Sequence, residues 1–318
     1  IEKFVLGRSD FGGVISASQG GGYDVQLKGK SLDFVPMLAQ VDNAEGSTMP
    51  QLNLTTNFET VWFDPDVPVH NVSGTMMYDG EFWNQAALTG VVAKNQPFSY
   101  ELKTVADKQR YTLRAEDAGG ILAGLDITDT FRGGKLVLTA DRKRAKEQPW
   151  KGSLNVSDFA VADAPNLARI LTLASLTGIV NRLSGKGIAF TKLEVPFTQT
   201  GDTATMTNAR AMGAALGLTA DGTLDLEKKT ASLLGTIVPA YSINSALGKI
   251  PLIGRIFTGQ KGGGVFAATY QLSGDLAKPK ITVNPLAALA PGFLRNLIGI
   301  LSTKSKGKPP SSEIIDPN

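Results

Sequence analysis

Few residues of this chain could do chemistry. The single histidine, His70, lies in Val69-His70-Asn71-Val72, an alternation of apolar and polar types that reads as a strand. A histidine that holds a metal needs partners, and the chain has no cysteine to supply a zinc set. A Ser-His-Asp arrangement through His70 would need a presented nucleophile, and no Gly-x-Ser-x-Gly elbow occurs. Gly29-Lys30-Ser31 imitates the end of a phosphate-binding loop, but residue 24 is Asp where that motif begins with Gly, and no helical pattern follows. Gly262-Gly263-Gly264 precedes a strand pattern, so a turn is expected there and not a dinucleotide site. Arg142, Lys143, Arg144 and Lys146 form a basic run between two predicted strands. Two readings of it stay open, a solvated hairpin loop or a contact for phosphate groups. The expectation is a non-enzymatic chain with no catalytic residue, metal or cofactor.

The elements that carry these residues are mostly strands. Charged residues make up 19% of the 318, below the roughly 25% of an average soluble protein, and 35 glycines suit strands and turns. The balance of 32 basic and 29 acidic residues argues against a nucleic-acid binder, which clusters Lys and Arg to neutralise phosphates. The lack of cysteine fits a reducing compartment or an envelope protein that avoids stray disulfides. The chain opens at Ile1-Glu2-Lys3-Phe4 without an initiator Met or signal peptide, so any targeting or anchoring segment is expected upstream. No stretch reaches the roughly 18 consecutive apolar residues of a membrane span. Leu167 to Val180 and Leu286 to Leu301 come nearest, interrupted by Arg169 and by Arg295-Asn296.

Alternation with a period of two dominates. Leu52, Leu54, Thr56, Phe58, Thr60 and Trp62 fall on one side, Asn53, Thr55, Asn57 and Glu59 on the other. Phe98, Tyr100 and Leu102 repeat the pattern, as do Tyr111 with Leu113, and Leu136 with Leu138. Leu216, Leu218, Ala220, Leu224 and Leu226 oppose Thr219, Asp221, Thr223 and Asp225, and Phe266, Ala268, Tyr270 and Leu272 close the series. Turn signals at Gly20-Gly21-Gly22, Asp79-Gly80, Asp107-Lys108 and Gly201-Asp202 predict tight connections; Asp221-Gly222 reads as a turn or a bulge. About 16 sequential strands follow, a mainly β, mostly antiparallel meander. Few helices are predicted. One is capped by Asp163 and striped by Leu167, Ile170, Leu171, Ala174, Ile179 and Leu183. Short ones are expected at Ile121 to Leu125 and Tyr241 to Leu247, with a last, apolar helix near Leu286 to Leu301.

So much one-sided apolar sheet must be covered, at roughly 25 cal/mol per Å². A sandwich, a closed barrel, or a trough holding something greasy would each do so. The floor candidates are Leu52, Leu54, Phe58, Trp62, Phe98, Tyr100, Leu102, Tyr111, Leu113, Leu136, Leu138, Leu216, Leu218, Leu224, Leu226, Phe266 and Tyr270. The alternative is that these side chains pack a closed core.

Residues 151–295 carry a family resemblance. The motifs are Trp150-Lys151-Gly152-Ser153-Leu154-Asn155-Val156-Ser157-Asp158-Phe159, Asp163-Ala164-Pro165, Gly213-Ala214-Ala215-Leu216-Gly217-Leu218-Thr219 and Gly222-Thr223-Leu224-Asp225-Leu226. Further along come Gly235-Thr236-Ile237-Val238-Pro239, Ile250-Pro251-Leu252-Ile253-Gly254, Tyr270-Gln271-Leu272-Ser273-Gly274 and Pro291-Gly292-Phe293-Leu294-Arg295. In this order they resemble the C-terminal region of the AsmA-like superfamily of Gram-negative bacteria, nearest its YhdP-like branch. The resemblance divides the chain into a repeating β-groove segment (1–148), an AsmA-like C-terminal region (149–301) and a disordered basic tail (302–318).

It implies a curled β-groove in the periplasm, anchored in the inner membrane by an upstream helix, that moves phospholipids between the two membranes. Expected partners are phospholipids, membrane at one or both ends and outer-membrane proteins, with no nucleic acid. Leu289, Phe293, Leu294, Leu297 and Ile298 of the last helix would cap the groove or touch membrane. Two other readings remain: an assembly factor for outer-membrane proteins, and an outer-membrane barrel. Aromatic residues at 7% and the helix that interrupts the strands count against the barrel.

Overall fold

The computed structural model describes residues 1–36, 50–63, 65–92, 95–125, 127–145, 148–239 and 267–286. Expected features at Tyr241 to Leu247, at Gly262-Gly263-Gly264, beyond Leu286 and in the tail lie outside them. So do Phe266, Leu289, Phe293, Leu294, Leu297 and Ile298.

Sixteen strands pair in sequence order in one sheet. They are β1 (Phe4–Leu6), β2 (Ser9–Ala17), β3 (Tyr23–Asp33), β4 (Leu52–Trp62), β5 (Pro68–Tyr78), β6 (Trp83–Val92), β7 (Gln96–Val105) and β8 (Lys108–Ala115), then β9 (Phe131–Lys143), β10 (Trp150–Val161), β11 (Ile188–Thr200), β12 (Thr203–Met212), β13 (Leu216–Asp225), β14 (Thr230–Pro239), β15 (Ala267–Asp275) and β16 (Lys280–Leu286). Every pair is antiparallel except β3 with β4, where Tyr23 to Asp33 run alongside Leu52 to Trp62 in the same direction. The sheet curls but does not close, since β1 and β16 do not pair. Pairing continues across residue 148, from β9 to β10. Leu286 ends a strand and does not start a helix.

Among the described residues, the helices between strands are α1 (Ala118–Gly124), α2 (Pro165–Leu173) and α3 (Thr177–Val180). The Asp117 carboxylate caps α1 by accepting from the Gly120 N–H at 2.9 Å. The expected cap at Asp163 is displaced. Ala164 occupies the N-cap without a side-chain bond, Pro165 pre-sets the first turn, and Asp163 sits at φ 51° facing Arg132 at 3.4 Å. The single stripe predicted from Leu167 to Leu183 is broken at Ser175, whose φ of 60° ends one helix before the next begins.

Both helical excursions leave the same rim of the sheet, where β8 passes to β9 and β10 to β11. The other rim carries short hairpins. From the end of β10, α2 packs against β16, and Arg169 donates to the Pro279 carbonyl at 3.4 Å. In a flat sheet, six strand spacings of about 4.8 Å would put β16 about 29 Å from β10. The nine residues of α2 span only about 13 Å. The sheet therefore curls around the helices. The largest buried cluster records this: Ile170, Leu171, Ala174 and Leu176 of the helical excursion pack with Leu136, Val156, Leu216, Ile237, Tyr270 and Ile281 from β9 to β16.

The alternation slips within strands. Asn71, Asp158 and Asn208 hold φ of 50°, 54° and 57°, in the left-handed region that Asn and Asp tolerate best among residues with a side chain. Register shifts accompany Asn71 and Asn208. Past such a bulge the inward set moves by one residue. Buried neighbours are then three apart: Val69 and Val72, Val156 and Phe159, Phe58 and Val61.

Candidate functional site: an apolar groove

The outward face of the sheet is polar and ion-paired. Arg110 forms a two-bond fork with Asp141 on the adjacent strand, at 2.8 Å for each bond. That pairing holds the Asp141 carboxyl below its ordinary value, against the upward push of burial. Glu194 is likewise held low, first by its hydrogen bond from Arg210 and then by that from Lys192. These partly exposed pairs add modestly to stability and keep that face in water.

The inward face is apolar and holds two open clefts that share Tyr100 and Leu113. One, of about 490 Å³, lies towards the helix rim between Phe34, Phe63, Val69, Val72, Phe98, Ile121 of α1 and Leu125 at its C-cap. The other, of about 320 Å³, lies towards the hairpin rim between Tyr111, Leu138, Ala140, Trp150 and Phe197. Together they form a diagonal trough from β4 to β11. Half-buried Leu154, Leu193, Leu218, Leu224, Leu233 and Val283 carry apolar surface on towards β16.

At the shared centre, burial pushes the Tyr100 hydroxyl up to about 12; neighbouring Tyr111 adds to this and Arg142 offsets it. Burial also raises Tyr111, with Arg142 again opposing. Both rings are therefore neutral across the physiological range.

Floor aromatics lie down against glycines of the next strand. Gly90 faces Phe98, Gly152 faces Phe197 and Gly235 faces Tyr270 in register. A Cβ on Gly90 would stand 2.9 Å from the Phe98 ring, one on Gly152 2.7 Å from the Phe197 ring, and one on Gly235 2.5 Å from the Tyr270 hydroxyl. Each ring thus covers bare backbone instead of standing into the trough. Tyr270 is pinned there by donating its hydroxyl to the Thr219 carbonyl at 2.8 Å.

The sequence-derived floor divides three ways. Phe98, Tyr100, Tyr111, Leu113 and Leu138 line or flank the clefts, and Leu218 and Leu224 stay half-buried on the inward face. Leu52 and Leu54 are half-buried in β4. Phe58, Leu102, Leu136, Leu216 and Tyr270 are buried; Leu136, Leu216 and Tyr270 pack with the cluster around α2 and α3, as closed core.

Two candidates leave the floor. Trp62 falls past the β4 slip, where Val61 has become the inward residue, and its ring carries the Arg8 guanidinium at 4.9 Å instead. Leu226 follows the end of β13 in a turn, 47% exposed, with its N–H donated to the Asp202 carbonyl. Phe63, one residue past Trp62, lines the trough and was missed; the signal for it was Asn71, opposite the slip.

The remaining motifs lie within or beside strands. His70 meets the Thr60 hydroxyl through Nδ1 at 3.2 Å in β5, and Gly29-Lys30-Ser31 lies inside β3. The basic run begins at the end of β9. Arg142 stacks on the Trp150 ring at 4.5 Å, and Arg144 pairs with Asp79. The chain matches no protein-family model, no curated protein and no solved structure.

Proposed function

We propose that this chain is a segment of a periplasmic conduit that carries phospholipids between the inner and outer membranes along an apolar β-groove. The observation that carries the reading is the trough through Tyr100 and Leu113, apolar inside and charged outside, in a sheet that stays open. An acyl chain lying there is kept from water at about 0.8 kcal/mol per CH₂, while its head group stays wet at the open side. A floor of flattened rings over glycine has no deep local well, so chains slide. The strands from β4 to β11, seven spacings of about 4.8 Å, cover roughly 34 Å of such a path. The resemblance of residues 151–295 to the AsmA-like superfamily supports the same reading and the periplasmic location. Transport of this kind needs no catalytic residue.

A second reading, assistance to outer-membrane protein insertion, rests on the first edge. There Val5 is 62% and Leu6 69% exposed in β1, whose outer edge pairs with no described strand and offers a template for another chain's strand. Native mass spectrometry of the purified chain separates the two. Bound phospholipid is expected; a lipid-free chain that captures unfolded barrel protein would overturn the transport reading in favour of the second.

A further inference from the structure

Arg142 is a charge on the wrong face of its strand. In β9 the inward residues include Leu136, Leu138 and Ala140, and Arg142 continues that series at the hairpin rim. Its guanidinium lies 4.5 Å from the Trp150 ring centre and 5.8 Å from that of Tyr111, two walls of the smaller cleft. Neighbouring arginines on this rim have carboxylates: Arg110 has Asp141 and Arg144 has Asp79. Arg142 has none within ion-pair distance among the described residues.

What it has is a neutral anchor. Gln109, 1% exposed, donates through Nε2 to the Trp83 carbonyl at 2.7 Å. Its Oε1 accepts from the Tyr111 hydroxyl at 3.0 Å and from Arg142 Nε at 3.3 Å. The side chain is thus tied by Nε and flattened on Trp150, and no described residue accepts from its two terminal nitrogens. A guanidinium fixed in this way offers two parallel N–H donors to a planar or tetrahedral oxyanion. Apolar walls begin directly beneath it.

Resting on the lipid-groove reading above, we infer that Arg142 is a head-group station: it binds the phosphodiester of a phospholipid whose acyl chain lies in the cleft between Tyr111, Trp150 and Phe197. The commitment to a phospholipid over a free anion follows from the juxtaposition of a cation, paired with no described carboxylate, and an apolar cleft of about 320 Å³. A site for a small anion alone has no use for those walls. Arg142 is a binding and specificity residue here, and no bond is made or broken.

The test titrates the full chain with short-chain phosphatidylglycerol and short-chain diacylglycerol, each carrying the same fluorescent acyl chain, below their micelle concentrations. Inorganic phosphate is a third probe. Arg142→Gln is expected to weaken phosphatidylglycerol about tenfold, equivalent to about 1.4 kcal/mol, and to leave diacylglycerol unchanged. Arg142→Lys, which keeps charge but loses the Nε anchor, is expected between the two. Circular dichroism of both variants should match wild type, because the position is at a strand end.

Equal affinity of wild type and Arg142→Gln for phosphatidylglycerol would overturn the station while leaving the groove in place. So would an equal loss for both lipids, which would mark a packing effect. Phosphate binding as tightly as phosphatidylglycerol would also overturn it, in favour of a simple anion site. Failure of wild type to bind either lipid would overturn the groove itself.

Discussion

The contrast between an open floor and a sealed core can be tested with one charge placed twice. Leu113 belongs to both clefts and is half-buried; Leu216 is 0% exposed and packs in the cluster around α2 and α3. In Leu113→Asp the carboxylate keeps its water at the trough surface. The lost packing costs about 2 kcal/mol, the small end of the range for truncating a leucine. A passing acyl chain fares worse. Hydration around the new charge removes dry contact from some four CH₂ groups, about 3 kcal/mol at about 0.8 each, a hundredfold in local affinity at about 1.4 kcal/mol per factor of ten. In Leu216→Asp the lost packing alone costs about 2–5 kcal/mol, and an unpaired carboxylate in the core adds to that. Domain stability is about 5–15 kcal/mol, so this variant should unfold or melt far earlier.

The assay is transfer of fluorescent phospholipid between donor and acceptor vesicles, run beside thermal denaturation followed by circular dichroism. Leu113→Asp should fold and transfer poorly; Leu216→Asp should fail to fold. A folded Leu113→Asp with wild-type transfer would refute the trough as the path. A stable Leu216→Asp would refute the placement of the core under the helices.

Gly90→Ala should lift the Phe98 ring into the larger cleft, because the new Cβ would meet only side-chain atoms, at 2.9 Å and beyond. Melting should show a loss of about 1–3 kcal/mol and lipid capacity should fall; unchanged capacity would mean the flat ring is incidental. Burial pushes the Asp79 carboxyl up, but donation from the Phe82 and Glu81 N–H groups and Asn84, with the charge of Arg144, holds it at about 2. Since the folded value is depressed, its contribution is full above about pH 4 and fades as pH falls towards 2. Asp79→Asn should therefore lose stability at pH 7 and show a flatter acid melt than wild type over that window. Parallel pH profiles would contradict this. Tyr270→Phe should cost about 1 kcal/mol through the lost bond to Thr219, measured by urea denaturation, without changing lipid specificity.

The period-two pattern alone determined that the chain is a long run of strands with one wet and one dry face. Side-chain direction in a strand is a local property of the backbone, so Phe98, Tyr100 and Leu113 were legible without coordinates. Glycine and Asp turns set the hairpins for the same reason. Three things were not local. The slips opposite and around Asn71, Asp158 and Asn208 couple neighbouring strands, and so exchanged Trp62 for Phe63. The direction of β4 beside β3 depends on how the chain returns to the sheet, which no residue pattern encodes. The division of the dry face depends on curvature: only where the sheet wraps α2 do Leu136, Leu216 and Tyr270 become core, while the same residue types from β4 to β11 remain a trough. Amphipathic strands specify that a face must be covered, and tertiary curvature decides whether protein or another molecule covers it.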